Sequence, residues 1–206
     1  MKKKNENYQM EYNIITLGDS GVGKTSIFKR YTLNSFDDNS MSTLGMAFMT
    51  KKINFKNGDN IKLKLVDTAG QEKYISLVKS YYKNADAVLF VFSLHERESF
   101  DHIVDWMDKF KENNNKENIP KFLVGNKNDL EIVVEEDLLN DFIKKNDIDH
   151  YISTSAKNNQ NIKELFGQMV QILYKTNRKS GDQKITQLNQ DIKPQKHSCF
   201  CKKPDV

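Results

Sequence analysis

The sequence predicts an α/β fold in which a largely parallel, doubly wound sheet is covered by helices. Two observations predict this class. Strand-like apolar segments alternate with segments of helical periodicity along most of the chain, which is the order that a parallel sheet requires. One of these segments, Ala87 to Phe92, is continuously apolar, as is typical of a strand that is buried on both faces.

The first third of the chain predicts three strands and one helix. The strands cover about residues 11–17, 45–55 and 61–65, and the helix runs from about residue 25 to about residue 34. Asn57-Gly58-Asp59 is typical of a tight turn, so the second and third strands form a hairpin. Apolar residues alternate with lysines in the third strand, which predicts one solvated face. The polar residues 35–43 predict a mobile loop.

The remainder of the chain predicts parallel strands with intervening helices. The strands cover about residues 87–92, 121–125 and 151–153, and the helices about residues 72–83, 96–113 and 135–145. A final helix is predicted by an apolar stripe, namely Ile162, Leu165, Phe166, Met169, Val170 and Leu173. In the helix over residues 96–113 the predicted core face is Phe100, Ile103, Val104, Met107 and Phe110. Trp106 of that helix is predicted to be a partly buried packing residue.

Composition predicts one folded domain with a basic tail. The chain has 206 residues, of which 37% are hydrophobic and 29% charged, and no apolar run approaches the roughly eighteen residues of a membrane span. We expect a disordered leader at 1–9, a domain at 10–176 and a flexible tail at 177–206. Residues 178–206 hold seven basic and three acidic residues, which accounts for the whole net charge of +4. A neutral body argues against nucleic-acid binding, and a basic tail favours an anionic surface.

The only two cysteines, Cys199 and Cys201, lie in this tail, which excludes a disulfide framework. The charged start of the chain lacks the apolar segment of a secretory signal. Both features favour a reducing, intracellular setting. The four histidines show no metal-ligand spacing, so surface or packing roles are expected for them.

A glycine-rich motif between the first strand and the first helix predicts a phosphate-binding loop. It is Gly18-Asp19-Ser20-Gly21-Val22-Gly23-Lys24-Thr25. Such loops wrap a phosphate chain in backbone N–H groups at a helix N-terminus. Lys24 would reach the β- and γ-phosphates, and the Thr25 hydroxyl would bind Mg²⁺. A plain strand-to-helix turn is the alternative, and the flanking elements favour the phosphate loop, which does not by itself specify the base.

Asp67-Thr68-Ala69-Gly70 directly follows a strand and predicts groups that bind Mg²⁺ and approach the γ-phosphate. An Asp in this position can hold Mg²⁺ through its water shell. Gly70 permits a close backbone approach to the γ-phosphate. Gln71 could orient the attacking water, although a solvated Gln is the ordinary alternative for such a residue.

Two further motifs point to guanine. The Asp129 carboxylate of Asn126-Lys127-Asn128-Asp129 can accept hydrogen bonds from N1–H and the 2-amino group, a donor pair that adenine lacks. In Ser155-Ala156-Lys157 the Ala156 N–H could bind guanine O6. For any one of these short motifs alone, a plain surface turn is the more frequent explanation. Four of them in order, each at the carboxyl end of a strand, favour one nucleotide site.

Residues 10–176 resemble the small GTPases of the Ras superfamily, and specifically the Rab family. The resemblance rests on the phosphate loop and on Ser42-Thr43-Leu44-Gly45, Asp67-Thr68-Ala69-Gly70-Gln71-Glu72 and Ser80-Tyr81-Tyr82. It implies a P-loop NTPase fold with a six-stranded mixed sheet, five strands parallel and one antiparallel at the edge, flanked by five helices. It also implies two nucleotide-dependent switches at residues 37–48 and 69–82.

The resemblance also implies roles for individual residues. Thr43 would join Mg²⁺ through its hydroxyl, and Phe36 would pack edge-on against guanine. The expected catalytic residues are Gln71 and Lys24, and the expected Mg²⁺ ligands are Thr25, Thr43 and Asp67. The expected contacts of GTP or GDP are Ser20, Gly21, Val22, Gly23, Lys24, Thr25, Ser26, Phe36, Thr43, Asp67, Gly70, Asn126, Lys127, Asp129, Ser155, Ala156 and Lys157.

The chain departs from the family pattern at three places. Val66 stands where most Rab proteins carry a Trp that, with Phe48 and Tyr81, forms an aromatic patch for effectors. Ser40 stands where many relatives place an aromatic residue over the phosphates. Cys199-Phe200-Cys201 resembles a prenylation signal, but five residues follow it, and the C-a-a-X position holds Lys203. Unmodified cysteines therefore remain an alternative to lipidation.

These features predict a slow GTP-hydrolysing switch of membrane traffic, monomeric and attached to the cytoplasmic face of an endomembrane. Its expected partners are an exchange factor, an activating protein, effectors and, through the tail, the membrane. A binding scaffold without hydrolysis and a P-loop kinase or ATPase are the alternatives. Asp129 speaks against the second of these, because an adenine-binding site has no use for that carboxylate.

Overall fold

A computed structural model of the chain describes residues 10–38, 43, 45–55, 58–68, 75–116 and 118–179. The strands are β1 Met10–Leu17, β2 Met46–Asn54, β3 Asn60–Thr68, β4 Ala87–Ser93, β5 Lys121–Asn126 and β6 His150–Ser153. The helices are α1 Lys24–Leu33, α2 Ile75–Asn84, α3 Arg97–Asp101, α4 Ile103–Asn113, α5 Glu136–Lys145 and α6 Ile162–Lys179.

All six strands form one sheet in the order β2-β3-β1-β4-β5-β6. The edge strand β2 is antiparallel to β3, and the remaining neighbours are parallel. The predicted mixed sheet is thereby confirmed. Strand order reverses direction at β1, which has β3 on one side and β4 on the other. Ligands of open α/β sheets bind at such a reversal, and the glycine-rich loop follows β1 there.

Two apolar clusters cover the two faces of the sheet. Successive residues of a strand point to opposite faces, so Ile14 belongs to one cluster and Ile15 to the other. The first cluster joins the sheet to α1 and α6, and the second joins it to α2, α3, α4 and α5. The predicted stripe of α6 is buried in the first cluster along its whole length. A central sheet with helices on both faces is the predicted doubly wound arrangement.

Strand β3 alternates as the sequence predicts. Ile61, Leu63 and Leu65 have no exposed surface. The lysines between them are half-buried on the other face, where Lys62 and Lys64 both form ion pairs with Glu11 of β1. Glu11 lies opposite Lys62 in the parallel register, which brings the opposite charges together.

The helix predicted over residues 96–113 is divided at His102 into α3 and α4, so that the described residues contain the five predicted helices with the third one interrupted. The predicted core face of this helix is wrong at one position, because Val104 is 41% exposed. Phe100, Ile103 and Phe110 are buried as predicted, and Trp106 completes their stripe with only 4% of its surface exposed. Trp106 follows Ile103 by three residues and precedes Phe110 by four, which is the spacing of one helix face.

Three predictions about the ends of elements remain open. Helix α2 begins at Ile75, and the residues before it that were predicted helical, 72–74, lie outside the described residues. Helix α6 continues to Lys179, past the predicted domain boundary at 176. The leader and the part of the tail from residue 180 onwards lie outside the described residues, and the division of the chain stays a prediction. Within the described part of the chain, no helix combines the length and apolar character needed to cross a bilayer.

Candidate nucleotide-binding site

A cavity of about 340 Å³ opens at the carboxyl ends of the parallel strands. Most of the residues predicted to contact a nucleotide line it, namely Ser20, Gly21, Gly23, Lys24, Thr25, Ser26, Phe36, Thr43, Asn126, Lys127, Asp129, Ala156 and Lys157. The structure thus brings together residues from five segments that are far apart in the chain. The same wall includes four residues that the sequence did not single out for nucleotide contact, Asp37, Asp38, Thr68 and Leu130.

The loop after β1 needs glycine at two positions for steric reasons. A Cβ atom on Gly18 would lie 2.0 Å from the Val91 carbonyl oxygen, and one on Gly23 would lie 2.3 Å from Asn126 Nδ2. Gly23 also has a φ of 100°, a conformation that favours glycine. Helix α1 begins directly after it, with no side chain capping its first turn and no acidic residue there. The backbone N–H groups of that first turn therefore remain available at the end of the helix that adjoins the cavity, where they can stabilise an anion.

Lys24 is the first residue of α1, and its side chain turns back to this loop. Its Nζ atom donates to the carbonyl oxygens of Gly18 at 2.8 Å and Asp19 at 2.7 Å. Burial lowers the pKa of Lys24 from its ordinary value of 10.5 to about 8, against the attraction of the Asp67 and Asp19 carboxylates. A polyphosphate in the cavity would favour the charged form, because an opposite charge nearby stabilises the ammonium group.

Three oxygen-bearing side chains meet beside Lys24. Thr25 Oγ1 lies 2.6 Å from Asp67 Oδ2 and 2.7 Å from Thr43 Oγ1, and Thr43 Oγ1 donates to the same Asp67 oxygen at 3.2 Å. Asp67 is fully buried, and burial raises the pKa of its carboxyl group despite the hydrogen bond from Thr25. The predicted metal ligands are therefore adjacent, although three separate segments supply them.

This set of atoms fits Mg²⁺. Asp67 Oδ1 is buried and has no hydrogen-bond partner among the described residues, which leaves one carboxylate oxygen unsatisfied. Mg²⁺ prefers hard oxygen ligands and is commonly held by one or two carboxylates together with substrate phosphates. Nowhere in the described segments do three or more His, Cys, Asp or Glu residues form a metal-binding group. A metal here would accordingly depend on hydroxyls and phosphates as well as on Asp67.

Asn126 connects the phosphate end of the cavity to the opposite end. Its Nδ2 donates to the Val22 carbonyl oxygen at 2.8 Å. Its Oδ1 accepts from Thr154 Oγ1 and from the Ala156 N–H, both at 3.2 Å. Val22 does not line the cavity, because its side chain is buried and only its backbone takes part. The Ala156 N–H, which the sequence predicts to face guanine O6, is directed to Asn126 in this structure.

The Asp129 carboxylate is oriented by its neighbours. Ser155 Oγ donates to Asp129 Oδ1, and the Asn158 N–H donates to Ser155 Oγ at 2.9 Å. Ser155 is itself fully buried behind this carboxylate rather than on the cavity wall. Asp129 therefore presents a fixed acceptor at the end of the cavity away from Lys24.

An aromatic ring and an arginine complete that end. Phe36 is half-buried against the first apolar cluster, with the Arg30 guanidinium 5.9 Å from its ring centroid. Arg30 donates through Nε to the Ala156 carbonyl oxygen at 2.8 Å and through Nη2 to that of Lys157 at 3.0 Å. Lys157 Nζ lies 3.3 Å from Asp38 Oδ1. No sequence motif marks Arg30, whereas the position of Asp37 and Asp38 beside Phe36 could have suggested them.

The predicted aromatic patch is present in part. The rings of Phe48 and Tyr81 lie 5.2 Å apart, and Phe48 is 55% exposed. Val66 pairs with Phe48 across β2 and β3, but it is only 3% exposed and belongs to the second apolar cluster. Two aromatic residues are thus available at the surface, without a third ring from position 66.

Some predicted residues cannot be compared with the structure. Gly70 and Gln71, Ser40 and the two tail cysteines, Cys199 and Cys201, lie outside the described residues.

The chain matches the Ras family over residues 13–175. Ras-related protein Rab-11B of Dictyostelium discoideum is 39% identical over 169 residues, which cover 81% of this chain and 76% of that protein. Ras-related protein Rab-1D of the same organism is 38% identical, covering 75% of this chain and 76% of that protein. Ras-related protein RABD2b of Arabidopsis thaliana is 35% identical, with coverage of 79% and 80%. The match begins within β1 and includes every residue that lines the cavity, and the chain therefore belongs to the Ras family and, within it, to the Rab proteins.

Proposed function

We propose that the chain is a guanine-nucleotide switch that binds GTP with Mg²⁺, hydrolyses it slowly and regulates membrane traffic. One observation carries the proposal. A single cavity has an oriented carboxylate, Asp129, at one end and Lys24, Thr25 and Thr43 at the other, where the two threonine hydroxyls contact the buried Asp67 behind the cavity wall. This arrangement suits a base with two adjacent donors joined to a polyphosphate.

Each group in the cavity has a definite task in this proposal. Thr25, Thr43 and Asp67 would hold Mg²⁺, which would stabilise negative charge on the phosphates. The first-turn amides of α1 would bind phosphate oxygens. Lys24 neutralises charge that develops during phosphoryl transfer, and Gln71 positions the attacking water. Loss of the γ-phosphate releases Thr43 and Gly70, so the two switch segments relax.

The arginines support the need for an activating partner. The chain has three, Arg30, Arg97 and Arg178. Arg30 is engaged with backbone carbonyls at the base end of the cavity, and Arg97 forms an ion pair with Asp101 on α3. Of the arginines whose side chains the structure describes, Arg30 and Arg97, neither is therefore directed at the phosphate end. An arginine from an activating protein commonly accelerates this reaction by about 10³- to 10⁵-fold.

Gln71→Leu tests the enzymatic part of the proposal. Single-turnover GTP hydrolysis should fall severalfold or more, because leucine cannot hydrogen-bond the water, while GDP affinity should stay near that of the wild type. Unchanged turnover would remove Gln71 from its role. Wild-type protein that binds GTP without single-turnover hydrolysis would instead favour the scaffold, and an equal or greater affinity for ATP would favour the kinase or ATPase class.

Regulation by partners follows from the same site. An exchange factor and effectors would contact the switch segments, in which the exposed ring of Phe48 beside Tyr81 provides an aromatic anchor. Because Val66 is buried and carries no ring, the effectors of this chain should differ from those that require three aromatic residues.

We also propose that the basic tail attaches the protein to the cytoplasmic face of an endomembrane through lipidated Cys199 and Cys201. One lipid chain gives only marginal binding, whereas paired signals with basic residues give stable attachment. Mass spectrometry of both cysteines from native cells should detect an added lipid, and the chain truncated before Cys199 should lose its membrane location. Two free thiols with an unchanged location would contradict this proposal.

A further inference from the structure

Asp19, the second residue of the glycine-rich motif, uses its side chain outside the cavity. Asp19 Oδ2 lies 2.7 Å from His102 Nδ1, and Asp19 Oδ1 accepts from Trp106 Nε1 at 2.8 Å. Both carboxylate oxygens are therefore engaged by the region where α3 ends and α4 begins. The Asp19 carbonyl oxygen meanwhile accepts from Lys24 Nζ at 2.7 Å. One residue thus connects the phosphate loop and its lysine to a helix on the flank of the sheet.

The two partners of Asp19 differ in character. Trp106 is 4% exposed and belongs to the second apolar cluster, so its indole N–H is a neutral donor in a fixed position. The His102 side chain is 44% exposed and occupies the interruption between the two helices. It can gain or lose a proton from solvent while it remains against Asp19.

The charged groups around His102 are acidic. Asp19 faces His102 from the loop after β1. Glu98 of α3 places its Oε1 atom 4.0 Å from His102 Nε2. Asp105, in the first turn of α4, adds a further negative charge nearby. Asp101 of α3 is held by Arg97 in a separate pair. The hydrogen bond with Asp19 is the main cause that raises the pKa of His102.

We propose that Asp19, His102 and Trp106 act as positioning residues that hold the phosphate loop around a bound nucleotide, and that protonated His102 strengthens this hold. We call the three residues the Asp19 clamp. The proposal rests on the nucleotide site proposed above, and it adds a pH-dependent control of nucleotide release.

Charge and geometry both give the clamp its effect. The Asp19 carboxylate belongs to the loop whose amides face the phosphate end of the cavity, so its negative charge disfavours a polyphosphate unless it is compensated. Protonated His102 compensates that charge directly. The Asp19 carbonyl oxygen also accepts a hydrogen bond from Lys24. Displacement of Asp19 would therefore remove a hydrogen bond from the lysine at the phosphate end of the cavity.

The direction of the pH effect follows from the raised pKa of His102. The charged pair is fully formed below the ordinary pKa of histidine and is lost as pH rises through the raised value. Nucleotide release should therefore be slowest in mild acid and become faster above neutral pH. Exposed ion pairs are weak, so the change in the release rate should be about two- to fivefold.

The test measures dissociation of a fluorescent GDP analogue with excess Mg²⁺, from about pH 6 to about pH 8.5, the range in which histidine titrates. Wild-type release should accelerate across this range. His102→Gln keeps a neutral donor but cannot be protonated, so its release rate should lack that component. His95→Gln is the matched control, because His95 is exposed and its Nδ1 lies 2.9 Å from the Glu131 carbonyl oxygen, away from Asp19. It should retain the wild-type profile.

Asp19→Asn and the double variant Asp19→Asn with His102→Gln complete the experiment. Both should lose the same pH component, and the two single effects should not add in the double variant, because they remove one interaction. Trp106→Phe should speed release at every pH while leaving the slope with pH intact, since it removes a donor that does not titrate. Thermal unfolding of each variant, measured in parallel, separates a loss of fold from a loss of positioning.

The outcomes distinguish this inference from the proposed function. A wild-type protein that binds no guanine nucleotide overturns both. Nucleotide binding with the same pH profile in wild type and His102→Gln, or full additivity in the double variant, overturns the clamp alone. A pH component that disappears in His102→Gln and persists in His95→Gln supports it.

Discussion

Asp67 illustrates how the surroundings of a single residue indicate what its site can bind. One of its carboxylate oxygens receives the hydroxyls of Thr25 and Thr43, while the other is buried without a partner in the described part of the chain. An unsatisfied buried carboxylate oxygen costs free energy, and burial alone raises the pKa of this group. A divalent cation would coordinate the unsatisfied oxygen and would also stabilise the charged form of the carboxylate. The unsatisfied oxygen of Asp67 therefore supports the proposed Mg²⁺ site.

Asp129 is the residue on which base choice depends in our proposal. Asp129→Asn should lower guanine-nucleotide affinity by about a hundredfold or more, because charge-assisted hydrogen bonds to the base are lost. The Asn side chain can still accept from Ser155 and can donate to the C2 carbonyl of xanthine, so the preference should shift towards xanthosine nucleotides. Equilibrium competition with GDP and XDP measures the shift.

Asp141→Asn is a suitable control for this substitution, because Asp141 is exposed on α5 and does not line the cavity. Its nucleotide preference should equal that of the wild type. If Asp129→Asn also kept its preference for guanine, the base-reading role of Asp129 would be wrong.

At the scale of the element, the turn between β1 and α1 is constrained by its close contacts with β4 and β5. Gly18 lies against the Val91 carbonyl and Gly23 lies against the Asn126 side-chain amide. Both contacts are so close that a Cβ atom at either position would clash. The turn is thereby fixed against β4 and β5, so its amides occupy defined positions before any ligand binds. Such preorganisation reduces the entropy lost on binding.

Gly23→Ala tests this fixed geometry. The new methyl group would displace the Asn126 amide and break its hydrogen bond to Val22, so GDP affinity should fall by at least about tenfold. Gly58→Ala is the matched control, because Gly58 also has a positive φ, of 88°, but nothing lies within 4 Å of its added Cβ. Each substitution should cost roughly 1 kcal/mol or more of stability from backbone strain, and only the first should weaken binding. Calorimetric titration with GDP would reveal an error if both variants bound equally well.

The interruption between α3 and α4 shows what periodicity cannot predict. Apolar spacing correctly predicts a helical segment on this flank, yet it assigns Val104 to the core and gives Trp106 only partial burial. In the structure the Trp106 indole reaches Asp19, whereas Val104 faces solvent. The local pattern defines an apolar stripe, but the neighbouring elements decide which edge of that stripe is covered.

At the scale of the whole molecule, the first apolar cluster holds α6 and α1 together beneath the cavity. The Phe166 ring is fully buried, stacked on Tyr31 with centroids 3.8 Å apart and tilted against Phe28 at 6.0 Å. The first turn of helix α1, at its N-terminal end, is the turn proposed to bind phosphate. The packing of α6 therefore supports the element that forms the floor of the site.

Phe166→Ala should destabilise the whole domain by about 3–5 kcal/mol, because it leaves a cavity in a packed core. Phe48→Ala makes the same change at a 55% exposed position and should stay within about 0.5 kcal/mol of the wild type. Urea unfolding of the two variants, both saturated with GDP, measures the difference. A similar cost for both would contradict the assignment of the core.

The sequence by itself determined the strands, the hairpin, the order of helices and the motifs that carry nucleotide chemistry. These features depend on local periodicity and turn chemistry, which neighbouring residues encode. Only the tertiary structure decided that Asp19 meets His102 and Trp106, that Arg30 binds the backbone of Ala156, and that the Ala156 N–H is directed to Asn126. These contacts join residues that are tens of positions apart, and no local pattern specifies how the strands and helices that bear them stack.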